Sequence, residues 1–240
     1  MKRNKRWALL SVSMMLLFCG HVLAQSTIFN IPSTDTVAKG KYYVEFDFRP
    51  QIPEERAFGT LASRTNIYNP RLIIGASHNF EFGVNFPFYS NGSYLTNAFI
   101  QPNVKCKFYD DRKSGVALAV GGVGSLPLKH RHGESWGYFY GLASKKIKTG
   151  NYGPRFHGGL AIFTSETRAG AILGFEQPIS KNFNIVADWF RGNSFLNYFT
   201  PGISITFPRN GILNAGYSID NSRWDNTNNR RLFLYYGMTF

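Results

Sequence analysis

Four residues within six positions have the types that a hydrolase uses. The stretch HRHGES, residues 130–135, brings together His130, His132, Glu134 and Ser135. In such a set Ser135 would be the nucleophile, His132 the base that takes its proton, and Glu134 the group that orients the imidazole. The two histidines and the glutamate could also hold a metal ion, but their spacing matches no tetrahedral-site signature. The stretch is short and polar, the composition of a surface loop rather than of a rigid wall that holds a nucleophile against its base. The Asn-rich DNSRWDNTNN (220–229) lacks the spaced carboxylates of a calcium loop. No catalytic residue, metal or cofactor is therefore assigned, and the chain is not expected to be an enzyme.

The other ionisable residues follow a different rule: they recur at every second position. In KYYVEFDFR (41–49), Lys41, Glu45, Asp47 and Arg49 share one face with Tyr43, and Tyr42, Val44, Phe46 and Phe48 share the other. FEFGVNFPF (80–88) sets Glu81 and Asn85 against five apolar residues, and FIQPNVKCKF (99–108) sets Lys105 and Lys107 against Val104, Cys106 and Phe108. FNIVADWF (183–190) opposes Asp188 to Ile185 and Trp189. Period two sustained over eight to ten residues is the signal of a strand with two unlike faces.

About twelve such segments are expected, near 41–49, 70–78, 80–88, 98–109, 115–123, 135–146, 155–164, 167–176, 183–191, 198–207, 211–220 and 230–240. Most run about 9–11 residues, the length a tilted strand needs to cross a bilayer. The connections alternate between longer and shorter, with SET (165–167) an exception, and they carry Gly, Pro, Asn, Asp and Lys.

The first residues, MKRNKRWALLSVSMMLLFCGHVLAQS, have four early basic residues, an apolar run and Val22-Leu23-Ala24, the layout of a secretory signal peptide cleaved after Ala24. The expected organisation is a signal peptide over 1–24, a periplasmic lead-in over 25–40 and a barrel over 41–240. The precursor has 27 basic and 14 acidic residues, net +13. The leader holds four of those basic residues and no acid, so the remainder stands at +9. Cys106 is the sole cysteine after the leader, which excludes a disulfide framework. There is no basic run beyond the leader, so nucleic acid is not expected as a partner.

At the other end the chain closes on RRLFLYYGMTF (230–240), with Leu232, Leu234, Tyr236, Met238 and Phe240 on one face. This ending resembles the assembly signal of bacterial outer-membrane β-barrels, whose last strand ends on an aromatic residue after alternating apolar positions. The stretches PSTDTVAKGKYYVEFDF and VADWFRGNSFLNYFTPGISITFPRNGILNAGYSIDN resemble porin-like transporter families, one of them linked to aromatic-compound degradation. The resemblance implies an all-β fold: a transmembrane antiparallel up-and-down barrel in the outer membrane of a Gram-negative bacterium. It also implies partners, namely outer-membrane lipid and lipopolysaccharide, and the barrel assembly machinery.

In such a barrel the polar faces point inward. The expected lining is Lys41, Glu45, Asp47, Arg49, Arg71, Glu81, Lys105, Lys107, Arg155, His157, Arg168, Asp188 and Arg231, with Glu176 beside them. Inward glycines, among them Gly75, Gly121, Gly137, Gly174 and Gly216, leave room either for a pore or for aromatics such as Phe139, Phe163 and Tyr235. Aromatics near strand ends, Trp136 and Tyr198 included, fit interfacial girdles. The function expected is a narrow passive channel for small solutes, biased toward anions by Lys105, Lys107, Arg71 and Arg155. The alternatives are a closed structural or adhesive barrel acting through its outer loops, and a lipid-modifying enzyme using His132 and Ser135. The mixed signs also suit a salt-bridged, plugged interior.

Overall fold

The computed structural model describes residues 27–52, 65–91, 94–128, 134–164, 169–191, 197–221 and 230–240. Among the described residues thirteen strands form one antiparallel sheet that returns to its start. They are β1 (Tyr42–Pro50), β2 (Thr65–Gly75), β3 (Phe80–Asn85), β4 (Phe88–Asn91), β5 (Tyr94–Asp111), β6 (Val116–Pro127), β7 (Trp136–Lys146), β8 (Arg155–Phe163), β9 (Ala169–Pro178), β10 (Phe183–Arg191), β11 (Tyr198–Phe207), β12 (Gly211–Asp220) and β13 (Arg231–Thr239). Both β3 and β4 pair with β2 on one side and β5 on the other, so they are two pieces of one wall position. The break falls at Phe86-Pro87, where a proline has no N–H to give the ladder. The barrel therefore has twelve wall positions, as the alternation predicts.

Closure comes from β1, which pairs with β2 from Tyr42↔Ile74 to Pro50↔Asn66 and with β13 from Tyr43↔Thr239 to Phe48↔Leu234. Phe240 and Tyr42 exchange backbone hydrogen bonds at 2.8 and 3.3 Å, so the terminal residue completes the seam. A closed sheet has no open edge, the condition for spanning a membrane with strands. Apolar side chains cover the outside: Phe46, Val104, Phe139, Leu160, Ile162 and Tyr236 are all largely exposed. Such an area of apolar surface does not belong in water; on a barrel it is the lipid face. Leu232, Leu234, Tyr236, Met238 and Phe240 lie on it together, and Phe233 and Tyr235 point in.

Short links join the strands at one end, 76–79, 112–115, 179–182 and 208–210 among them, and both ends of the barrel wall lie there. In bacterial outer-membrane barrels the short turns mark the periplasmic end. The links that carry the longer connections lie at the other.

Two boundaries and one face depart from the expectation. β2 begins at Thr65, five residues before Pro70. Pro70 sits inside the strand because its carbonyl still accepts, from Phe86 N at 2.9 Å. β5 reaches back to Tyr94, so only residues 92 and 93 separate it from β4. In β7 the faces are exchanged relative to the expectation: Tyr138 and Tyr140 are buried inside, whereas Phe139 is 67% exposed and faces lipid. WGYFYGLASKK is apolar on both faces near its start, so alternation there does not decide which set points in.

The lipid face sets a prediction. Leu160 stands 59% exposed midway along β8. Leu160→Arg is expected to lower stability in lipid vesicles by about 2–4 kcal/mol, the cost of a cation near the bilayer midplane, measured by urea unfolding of the refolded protein.

Candidate functional site

The interior is occupied by the chain's own N-terminal stretch. Residues 27–38, expected ahead of the barrel, lie within it, and Lys39 and Gly40 are exposed at its rim. Ile28 N bonds Ile31 O at 2.9 Å and Thr27 pairs with Pro32, which folds the stretch into a tight turn with Phe29 and Asn30 at its tip. Ile28, Phe29, Ile31 and Val37 are at most 5% exposed and belong to the same buried cluster as Tyr43, Tyr138, Phe190, Phe233 and Tyr235 of the wall. Burying each such side chain contributes about 1.5–3 kcal/mol. The wall makes room by omitting side chains. A Cβ on Gly216 would stand 2.7 Å from Phe29 Cζ, and one on Gly174 would stand 2.7 Å from Ile31 Cδ1.

Polar contacts tie this plug along its length. Asp188 of β10 accepts from the backbone N–H groups of Asn30 and Ile31, the latter at 3.1 Å, and from Asn30 Nδ2 at 3.2 Å. Asn30 Nδ2 also donates to Thr200 at 2.8 Å. Glu81 Oε2 accepts from Val37 N at 2.6 Å. Arg155 grips Asp35 through two nitrogens, at 2.6 and 3.0 Å, and donates to Thr34 Oγ1 at 2.7 Å. Thr34 and Ser144 hydroxyls meet at 2.6 Å, Arg71 Nη1 donates to Thr27 Oγ1 at 2.9 Å, and Tyr235 donates to Thr27 O at 3.3 Å. Buried backbone N–H groups need acceptors, and here wall carboxylates supply several of them in place of a neighbouring strand.

The inward charges are extensively paired. Lys105 and Glu81 meet at 2.9 Å, both almost wholly buried. Arg71 and Glu45 meet at 2.5 Å, with Tyr43 donating to Glu45 at 2.5 Å. His157 and Glu176 meet at 2.6 Å, and Arg155 Nη1 lies 3.8 Å from Glu176. Arg49 and Asp47 stand 3.7 Å apart, with Arg49 over the Phe233 ring at 4.9 Å. Lys107 is near the short-link end, bound to Asp110 at 2.6 Å. Arg231 is buried and donates to Thr65 O at 2.8 Å. Lys41 precedes β1 and is exposed rather than within the lumen. Arg168 lies outside the described residues. Three of the four cations expected to bias ion passage, Lys105, Arg71 and Arg155, thus hold a wall or plug carboxylate inside the barrel.

Above the plug tip, toward the longer loops, a cavity of about 190 Å³ remains. Thr27, Phe29 and Asn30 face it from the plug, and Asp47, Arg49, Asn69, Arg71, Tyr138 and Arg231 from the wall. Trp136 and Tyr198 also face it, so these two aromatics are not girdle residues. Spacing alone placed the charged members of this set; Asn69 and Tyr138 were missed, the first because it was read into a link.

The catalytic alternative gains nothing from geometry. His130 and His132 lie outside the described residues, and Glu134 and Ser135 are exposed ahead of β7. Among the described residues no group of three metal-binding side chains occurs. The leader and its cleavage site, and most of 220–229, also fall outside the described residues.

No family model matches the chain, and no curated protein does. Solved structures do. The outer membrane channel of Pseudomonas putida F1 superposes with a TM-score of 0.54 at 14% identity, over 87% of this chain and 98% of that one. The translocator domain of the autotransporter NalP from Neisseria meningitidis gives 0.43 at 11% identity, over 99% and 94%. A mutant porin of Rh. blastica gives 0.34 at 9% identity, over 83% and 99%. The first of these shares the fold. The protein is a transmembrane antiparallel β-barrel of twelve wall positions, closed on itself and filled in part by its N-terminal stretch.

The plug has a pH signature. Burial pushes the Asp35 carboxyl up, but the charge and hydrogen bonds of Arg155, helped by His157 and Lys105, outweigh it and hold the group below its ordinary value of 3.8. A depressed carboxylate stabilises the folded state above its ordinary pKa, and that contribution is lost as pH falls through the depressed value. Asp35→Asn is therefore expected to cost about 1 kcal/mol, given the partial exposure of the pair, from pH 7 down to about pH 5. The gap from the native protein is expected to close below pH 3.8. Urea midpoints of both proteins across that range check it.

Proposed function

We propose that the protein is a passive outer-membrane channel for small solutes, closed in its periplasmic half by residues 27–38 and biased toward anions at its outer half. The observation that carries this reading is the way the plug is held. Apart from short backbone contacts where it joins the wall near Gly75, it is bound by side chains rather than built into the sheet. A segment held in this manner can leave without opening the barrel, because the wall ladder closes through β1 and β13. The cavity above it is open space lined by charged side chains, which is where a solute would pause. Residues 1–24 would act as a leader removed on export, and the face Leu232, Leu234, Tyr236, Met238 and Phe240 would be read by the assembly machinery. Outer-membrane lipid and lipopolysaccharide would surround the wall.

The structural or adhesive reading draws on the same plug, since a filled lumen also suits a closed barrel. The two separate in a bilayer. The plug can be locked by Thr34→Cys with Ser144→Cys, whose parent oxygens stand 2.6 Å apart. The oxidised double variant is expected to conduct at least several-fold less than the native protein, with reductant restoring the steps and reversal potentials on the anion side. A barrel that shifts normally on heating in a gel yet stays silent in both redox states would favour the closed reading.

A further inference from the structure

We infer that the cavity above the plug is a binding site for a small monocarboxylate that carries hydroxyl groups, of the size of a six-carbon sugar acid. This deepens the channel reading, on which it rests for the solute's route of arrival. Three buried polar atoms of residues that line this cavity, Asp47 Oδ1, Arg49 Nε and Asn69 Oδ1, have no hydrogen-bond partner among the described residues. Asp47 and Asn69 are 3% and 5% exposed. Buried polar atoms are nearly always paired, so three of them around one space specify what should enter it.

Their chemistry is complementary to one kind of molecule. Asp47 Oδ1 and Asn69 Oδ1 are acceptors that call for hydroxyl or amide donors. Their partner atoms are engaged: Asn69 Nδ2 donates to Asp47 Oδ2 at 2.7 Å, which fixes both free oxygens in place. Arg49 Nε is a donor that calls for an acceptor. Three guanidinium groups, Arg49, Arg71 and Arg231, face the cavity against one carboxylate, Asp47. Arg71 is taken by Glu45 at 2.5 Å and Arg49 Nη2 stands 3.7 Å from Asp47, so the guanidinium donor left unanswered at the cavity is Arg49 Nε. A carboxylate on the ligand suits that side, where charge-assisted hydrogen bonds are strongest. A second acid group would face Asp47 and be repelled, so a monoacid fits better than a diacid. Trp136 and Tyr138 stack at 6.2 Å with 11° between their planes and offer a flat apolar wall for the C–H face of the same molecule. The volume is below that of drug-sized pockets, about 300 Å³ and above, and equals the share of roughly six waters. Only a small solute fits.

Gluconate is the probe, with glucose lacking the acid and hexanoate lacking the hydroxyls. Calorimetric titration into protein refolded in detergent is expected to show saturable binding of one gluconate, with glucose and hexanoate at least tenfold weaker. Arg49→Gln is expected to weaken gluconate at least tenfold and to bring it level with glucose. Lys181→Gln, an exposed link at the far end, is expected to change nothing. Each folded variant is confirmed by its heat-dependent mobility. Saturable gluconate binding that falls in the Arg49 variant and is selective over both controls supports the inference. Absence of saturable heat, equal binding of all three probes, or an unaffected and folded Arg49→Gln protein overturns it. Conductance is read separately. A conducting barrel that ignores gluconate overturns this site and leaves the channel reading, and a silent barrel that binds gluconate keeps the site and removes the channel.

Discussion

A closed ring of twelve strand positions encloses more space than its inward side chains can fill, and that unfilled space governs the rest of the structure. An eight-strand barrel packs its own core. At twelve positions, with glycine at 174 on β9, 202 on β11 and 216 on β12, the wall leaves a hollow on one side. A second piece of chain occupies it. Phe29 sits where Gly202 and Gly216 lack side chains, and Ile28 and Ile31 sit where Gly174 does. The glycines and the plug are therefore one feature: either without the other would leave a void or a clash.

Enclosing a non-strand segment raises a second demand, because its backbone brings N–H groups away from bulk water. The wall answers with carboxylates. Asp188 takes two such groups and Glu81 takes one, each already placed on an inward face by the period-two rule. A carboxylate in that position needs compensation of its own. Glu81 has Lys105 at 2.9 Å, and Glu45 has Arg71 at 2.5 Å. Breaking one partner of such a buried pair typically costs 3–5 kcal/mol, far more than the pair contributes as a whole. The mixed signs of the lumen are thus chiefly structural in the short-link half, where Lys105 holds Glu81, which accepts from the plug, and Arg155 holds Asp35 of the plug itself. The charges that face open space are those beside the outer cavity, Asp47, Arg49, Arg71 and Arg231.

Much of this was legible in the residues. The alternation of KYYVEFDFR and RRLFLYYGMTF specifies both faces of β1 and β13, and with them the seam that closes the barrel. Where one face is apolar and the other charged, the inward set can be read directly, as for Glu45, Glu81, Lys105 and Asp188. β7 could not be read this way, since Tyr138, Phe139 and Tyr140 differ too little in polarity to choose a side. The plug was illegible for a different reason. STIFNIPSTDTVAK has no period, and its contacts span up to 208 residues of sequence, from Thr27 to Tyr235. Local pattern cannot report a contact of that range. The signal that was available is indirect: a dozen strands with so many inward glycines must be filled by something, and the apolar Ile28, Phe29 and Ile31 stood unassigned.

The division of the lumen into a packed half and an open half follows from where the plug turns back. Its tip is pinned by Asp188 and Thr200, and Thr27 is pinned by Arg71 and Tyr235, so the filled region stops at that level of the wall. Below it, the ionisable side chains are largely paired, and Ser204 Oγ and the Asn214 amide are buried without a hydrogen-bond partner among the described residues. Above it, Asp47, Asn69 and Arg49 keep polar atoms unanswered. An empty space in a fully packed interior would be a defect, removed by one larger side chain. An empty space bordered by unanswered donors and acceptors is stabilised only when something polar occupies it, whether water or solute. Because the plug forms the floor of that space through Thr27, Phe29 and Asn30, any occupant touches the plug. On the proposed channel reading, a solute that bound the plugged and unplugged states unequally would shift the balance between them by that difference in affinity, and occupancy of the outer cavity would be coupled to opening of the lumen without any further moving part.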